Sequence, residues 1–226
     1  MKKEVTNNEI KKKSINKTLN KKLLLSAIFA FLFIVLTVLI LLKVTDPLDL
    51  AVESFIIGIH NDNLTKIMIN ITNLGSAYSL IVITILITLF AIIKNKHLPI
   101  NTIMNLIAVF LTSQLFKVII RRSRPTGLFL TTASGYSYPS GHTMVSFAFF
   151  TFIAISLCER IDNKLVKIII RISSIILVLL IGFSRIYLGV HHTTDILGGY
   201  LLGLSYLMLF LNIRDKRIKK KEKSVK

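Results

Sequence analysis

The sequence predicts an all-α, polytopic membrane protein: a bundle of six transmembrane helices with short amphipathic helices at the outer interface. Three observations carry that expectation. Apolar residues make up 53% of the 226-residue chain and mean hydropathy is +0.67, too much apolar surface for a soluble domain to cover. The apolar residues are gathered into runs of bilayer-spanning length. The basic residues sit at the ends of those runs, with 16 of the 29 Lys and Arg in the two tails, residues 2–22 and 214–226. The net charge of +18 alone would suit a nucleic-acid partner. Basic tails beside hydrophobic spans fit anionic membrane lipids instead, and no nucleic-acid partner is expected.

In chain order, residues 1–22 form a Lys- and Asn-rich tail with almost nothing to bury, expected to be disordered or to lie on the membrane. Leu23–Leu42 is the first span. It is too long for a signal-peptide core, and Lys43-Val-Thr-Asp46 offers no small-residue cleavage site. Residues 47–75 are too polar to span. Leu48, Val52, Phe55, Ile56 and Ile59 recur at helical spacing, as do Leu64, Ile67, Met68, Ile71 and Leu74, which predicts two short amphipathic helices at the interface. Further spans are expected at 76–93, 98–120, 143–158, 167–184 and 196–213, with a short loop at 94–97 and another around Glu159–Lys167. No repeat or low-complexity linker divides the chain. Residues 23–213 therefore read as one domain, flanked by the tail 1–22 and a second basic tail, 214–226. Cys158 has no partner for an internal disulfide and reads as a small buried residue.

With both termini in the cytoplasm, 22 basic residues fall inside and seven outside: Lys43, Lys66, Lys117, Arg121, Arg122, Arg124 and Arg185. The positive-inside rule favours that orientation. The expected location is thus the cell membrane, multi-pass, with the ends bearing Lys117 and Arg185 on the extracytoplasmic face.

Three segments at those outer ends combine residue types that packing does not explain. Lys117 lies within the apolar run that ends Arg121-Arg122-Ser123-Arg124-Pro125, where a charge costs about 2.5–3.5 kcal/mol at mid-span. A snorkelling collar accounts for Arg121 and Arg122 but less well for Lys117. A loop over 126–138, rich in Gly, Ser, Thr and Tyr, should be flexible unless anchored. It closes on Pro139-Ser140-Gly141-His142, where Ser140 suits an N-cap and the free N–H groups of a helix start suit an anion. The third segment is Ser184-Arg185, followed by His191, His192 and Asp195. His191 and Asp195 are four residues apart, one helical turn, so the carboxylate can hold one imidazole nitrogen and leave the other free. His192 is within reach of Asp195 too, and spacing along a helix does not decide between the two histidines. A nucleophile, an orienting acid and an anion clamp suggest phosphoryl transfer.

Together these segments resemble the type-2 phosphatidic acid phosphatase superfamily, membrane lipid-phosphate phosphatases related to vanadium haloperoxidases. The resemblance rests on Lys117 with Arg124-Pro125, on Pro139-Ser140-Gly141-His142, and on Ser184-Arg185 with His191 and Asp195. It implies hydrolysis of a lipid phosphate or pyrophosphate through a phosphohistidine. His191 would be the nucleophile, chosen over His192 by its spacing from Arg185. Asp195 would orient it, and His142 would act as general acid and then base. Lys117, Arg124, Ser140, Gly141 and Arg185 would cradle the phosphoryl oxygens. No cofactor and no metal ion are expected: magnesium sites need carboxylates, and Asp195 is the only acidic residue in the three segments, with Asp46, Asp49, Glu53 and Asp62 in a separate stretch. Undecaprenyl pyrophosphate, phosphatidylglycerophosphate and phosphatidic acid all fit such a site, and no residue selects among them. A slight preference goes to prenyl pyrophosphate. Two other classes compete, a non-catalytic anionic-lipid-binding protein and a transporter. Neither has much need of a histidine paired with an aspartate. Nothing in the sequence sets the oligomeric state.

Overall fold

In the computed structural model of the protein, residues 2–91, 97–127 and 129–224 are described. Eight helices follow in order: α1 Lys2–Leu41, α2 Asp46–Gly58, α3 Asp62–Leu74, α4 Ala77–Ala91, α5 His97–Ile120, α6 Gly141–Cys158, α7 Lys164–Tyr187 and α8 Thr193–Ser224. Among the described residues there is no strand.

Five of these helices are long and apolar enough to cross a membrane; α3 and α4, which meet at a 49° bend, make a sixth if counted as one broken span. The sequence expects a separate span at 76–93. The described part of α4 has 15 residues, about 22 Å of rise against roughly 30 Å of hydrocarbon. Residues 92–96, which include most of the expected 94–97 loop, lie outside the described residues. Residues 2–22 of the tail are helical rather than disordered: α1 runs from Lys2 into the first span, and α8 likewise continues into the basic C-terminal stretch. Lysine is a good helix former, so a basic segment joined to a stable span extends it readily.

The two amphipathic helices form where the apolar spacing places them, as α2 and α3. Asn61 caps α3 by accepting the Leu64 N–H at 2.9 Å, and Pro47 opens α2. Helices α6 and α8 are buried over about half of their most apolar stretch, and α1, α5 and α7 over about a fifth. So α6 and α8 form the centre of the bundle, and the others turn rows of Leu, Ile, Val and Phe outward. Close contact at the centre depends on small residues, as is common between membrane helices. A Cβ on Gly199 would lie 3.0 Å from the Ser140 carbonyl oxygen.

Antiparallel connectivity brings the C-termini of α5 and α7 to the same end of the bundle as the N-termini of α6 and α8. Helix α2 packs on α7 and α8. The opposite end is held by side chains from α1, α8 and the residue just past α6: Lys22 pairs with Asp215 at 2.5 Å and Arg214 with Glu159 at 2.6 Å. Deeper along the α1–α8 seam, Ser26 and Ser205 each donate to the other's carbonyl, at 2.8 and 2.9 Å.

Candidate active site

Every sequence-selected residue lies at that shared end. Lys117 and Arg185 are in the last turns of α5 and α7, where a helix dipole favours cations. Gly141 opens α6, and Ser140 caps it by accepting the Thr143 N–H and O–H at 3.4 and 3.0 Å. A Cβ on Gly141 would sit 3.2 Å from Ser113 Oγ and 3.5 Å from Lys117 Cε, so glycine lets the start of α6 close on Lys117. Lys117, Arg124, Arg185 and His191 all lie within electrostatic reach of His142.

His191 and Asp195 do not share a helix face as the sequence suggests, because α8 begins only at Thr193. They meet through a capping arrangement. Asp195, in the first turn, reaches back to accept the His192 backbone N–H at 3.0 Å and lies 3.2 Å from His191 Nδ1, the geometry of a capping box. His191 Nε2 faces Arg124 Nη1 at 3.4 Å. Burial pulls the His191 imidazole below its ordinary value, to about 4; the hydrogen bond and charge of Asp195 oppose this, and Lys117 and Arg185 add to it. The ring is therefore neutral at neutral pH. With Nδ1–H given to Asp195, the lone pair on Nε2 faces Arg124. His192 meets Asp195 through its backbone N–H.

The cations rest on neutral groups. Lys117 Nζ donates to the Tyr136 and Ser137 carbonyls at 2.5 and 3.2 Å. Arg124 donates to the carbonyls of Ser134, Gly135 and Val190 at 2.8, 3.0 and 2.7 Å. Arg185 Nη1 donates to Thr72 Oγ1 at 2.7 Å, while its Nε is buried without a partner among the described residues. These bonds, with Ser137 N to Arg122 O at 2.9 Å and Leu130 N to Leu188 O at 3.1 Å, anchor the loop that composition alone would leave flexible. Tyr138, fully buried, stacks on Phe33 with ring centres 5.6 Å apart and shares a 3.0 Å hydrogen bond with Thr37. The segment leading into His142 is thereby fastened to α1.

Two residues that the sequence reading assigns elsewhere belong to this centre. Arg122 is not part of a snorkelling collar. Arg121, exposed just past the end of α5 at φ 55°, donates from Nε to the Val118 carbonyl at 2.9 Å. Beyond that left-handed turn, Arg122 is half-buried: Nη1 donates to Asp195 Oδ1 at 2.6 Å and to Thr194 Oγ1 at 2.7 Å, and Nη2 to Asp49 Oδ2 at 2.7 Å. Asp49 is the second correction. Its stretch is distant in sequence, but α2 docks it against the start of α8, where it also accepts the Thr194 N–H at 2.9 Å and O–H at 2.7 Å. Burial works against the charge on Arg122, and the two carboxylates outweigh it, raising the guanidinium above its ordinary value.

Comparison with known proteins converges on one family. The PAP2 superfamily profile matches residues 98–219. Phosphatidylglycerophosphatase B of Bacillus subtilis is 32% identical over 86% of this chain and 96% of its own length. An undecaprenyl-diphosphatase of Sulfolobus acidocaldarius is 28% identical over 88% of this chain and 96% of its own. The crystal structure of the transmembrane PAP2-type phosphatidylglycerolphosphate phosphatase from Bacillus subtilis superposes with a TM-score of 0.80 at 27% identity, covering 85% of this chain and 96% of that one. Aquifex aeolicus LpxE superposes with a TM-score of 0.59 at 25% identity, covering 73% and 94%.

Proposed function

Because this chain belongs to the PAP2 superfamily and is a membrane lipid phosphatase, a phosphoric ester hydrolase, we propose that it works through a phosphohistidine on His191 without a divalent metal ion. The observation that carries this reading is the orientation of the His191 ring, with Nδ1 at Asp195 and Nε2 facing Arg124, while Lys117 and Arg185 lie within electrostatic reach of the ring. Nε2 attacks phosphorus and the bond from phosphorus to the leaving oxygen breaks. His142 gives that oxygen a proton, since an alkoxide leaves poorly without one. The imidazolium character that develops on His191 is balanced by Asp195. Water then attacks the phosphohistidine, His142 takes back a proton, and inorganic phosphate leaves a neutral His191. Lys117, Arg124 and Arg185, with Ser140 and the Gly141 amide, hold the phosphoryl oxygens. Phosphoryl transfer depends mostly on such positioning and charge stabilisation.

The substrate is an amphiphile whose phosphate reaches the shared helix end while its tails stay in lipid. The named relatives act on phosphatidylglycerophosphate and on an undecaprenyl diphosphate, and phosphatidic acid has the same reactive group. The site lies on the extracytoplasmic face with both termini in the cytoplasm, a reading supported by the distribution of basic residues. Purified protein in detergent, given a panel of these lipids with excess EDTA, should release phosphate, with one lipid preferred in kcat/KM. A protein that binds the lipids without releasing phosphate is a lipid-binding protein. One that moves them unaltered across a vesicle membrane is a transporter. Activity lost in EDTA and restored by magnesium defeats metal independence.

A further inference from the structure

Arg122 and Asp49 stand one step behind the histidine. Asp195 is fully buried and accepts from three donors: His191 Nδ1, the His192 backbone N–H and Arg122 Nη1. The first two share Oδ2, and Arg122 holds Oδ1. The carboxylate plane, and with it the direction in which Oδ2 faces the imidazole, is thus fixed by Arg122. The guanidinium is fixed in turn by Asp49, which bridges Arg122 Nη2 to the Thr194 N–H and O–H. That takes up an N–H at the start of α8 that has no partner within the helix. Both terminal nitrogens of Arg122 are committed to these carboxylates. Lys117 and Arg124, by contrast, donate to carbonyls that a phosphate can replace.

Resting on the phosphatase reading above, we propose that Arg122 and Asp49 are positioning residues for catalysis. Arg122 holds the Asp195 carboxylate in the plane that sets the His191 tautomer and tempers its pull on the imidazolium, and Asp49, carried by the interfacial helix α2, holds Arg122 in place. Neither residue touches the phosphoryl group. A role limited to holding the bundle together would predict lower stability and a smaller active fraction, with an unchanged pH profile. The positioning role predicts that the protonation of His191 responds to both residues, in opposite directions.

The charged and titratable groups that bear on His191 come from every side: Lys117 and Arg124 from the end of α5, His142 from α6, Arg185 from α7, and Asp195 from α8. His192 is adjacent, and Asp49, Glu53 and His60 line the same cavity as His191. All but Asp49 are unchanged across the variants below. The phosphate of the substrate titrates near pH 6, so the informative quantity is the difference between variants. Removing the positive charge of Arg122 leaves Asp195 uncompensated and favours the imidazolium. The acid limb of kcat/KM then moves up, by roughly half a pH unit or more. Removing the negative charge of Asp49 gives Arg122 wholly to Asp195 and moves the limb down.

The experiment measures kcat, KM and the pH dependence of kcat/KM for full-length wild type, Arg122→Gln, Arg122→Lys and Asp49→Asn in detergent, on whichever lipid of the panel the wild type turns over. Arg122→Gln should lose on the order of 10²-fold in kcat, with KM within about threefold. Its acid limb should rise, Asp49→Asn should shift the other way, and Arg122→Lys should recover part of kcat and the wild-type limb. If Arg122→Gln does not survive purification, the opposite shift in Asp49→Asn and the retained limb of Arg122→Lys carry the test. Limbs that coincide in all purified variants, or a loss expressed wholly in KM, overturn the positioning role while an active wild type upholds the phosphatase reading. A wild type that releases no phosphate overturns both.

Discussion

Replacing Gly198 with alanine tests whether the fastening of Tyr138 governs the geometry of the site. Gly198 lies in α8 opposite the Tyr138 ring, and a Cβ there would fall 2.6 Å from both Cζ and Oη of that ring. Carbon atoms pack at about 3.5–4.0 Å, so the ring must move by roughly 1 Å. It has no free space to enter: Tyr138 is fully buried, stacked on Phe33 and bonded to Thr37. The displacement passes instead along the chain to Pro139, Ser140, Gly141 and His142. Overpacking of this kind costs about 1–3 kcal/mol, while alanine regains about 1 kcal/mol of helix propensity over glycine. The net change in stability is therefore small, and turnover is the more sensitive readout. A misplacement of about 1 Å at a reacting group costs on the order of 10²-fold. Thermal unfolding in detergent and kcat/KM, measured on Gly198→Ala, should show a midpoint lowered by a few degrees at most and a kcat/KM reduced by about 10²-fold. The double variant Gly198→Ala with Tyr138→Leu should lose less than the two single losses combined, since leucine removes the ring edge that the new methyl strikes. Wild-type turnover in Gly198→Ala, or strictly additive losses in the double variant, would refute the reasoning.

The two histidines are separated by rapid-quench labelling with radiolabelled substrate: His191→Ala should form no phosphoenzyme and His192→Ala should form it, and the reverse pattern moves the nucleophile one residue along. His142→Ala should accumulate phosphoenzyme from a pyrophosphate lipid, whose leaving group needs no proton, and should lose activity most on monophosphate lipids. The lowered pKa of His191 sets a sign for acid stability. The unfolded chain binds a proton there at about 6.5 that the folded chain refuses down to about 4, so stability should fall as pH drops through that window. His191→Gln should show a shallower fall in unfolding midpoint, and equal slopes would contradict the assignment. Single cysteines in the 129–136 loop, in a Cys158→Ala background, should react with an impermeant thiol reagent in intact cells; labelling only after lysis would invert the proposed topology.

The site residues legible in the sequence were those whose placement carries a cost. Lys117 inside an apolar run stands out because hydrocarbon penalises charge. Ser140 stands out because a helix start needs an acceptor for its N–H groups. Arg122 and Asp49 carried no such mark. An arginine just beyond a span is what a snorkelling collar looks like, and only the left-handed turn at Arg121 separates the exposed neighbour from the half-buried one. Asp49 sits 73 residues from Arg122 in the chain, on a helix whose apolar face announced an interfacial position but not its partner. The His191–Asp195 contact was anticipated from helical spacing and arises differently, through the capping of α8. Two geometries one turn apart can bring the same atoms together, so spacing alone does not distinguish them.

What distinguishes the cations of this site is the charge of what they rest on. Lys117 and Arg124 donate to backbone carbonyls of the 134–137 segment and Val190. Those bonds satisfy the donors without neutralising them, so the positive potential stays in place for an anion. A phosphate entering the site replaces neutral acceptors with charged ones, and charge-assisted bonds are roughly twice as strong. The exchange is favourable for the substrate even where each carbonyl must then find another donor. Arg122 is different. Its charge is already met by Asp49 and Asp195, and drawing it toward a phosphate would leave two buried carboxylates without their cation, a change on the order of 3–5 kcal/mol. The same residue type, two positions apart, rests on neutral carbonyls at 124 and on carboxylates at 122. In the proposed mechanism, that contrast separates the substrate cradle from the support behind His191.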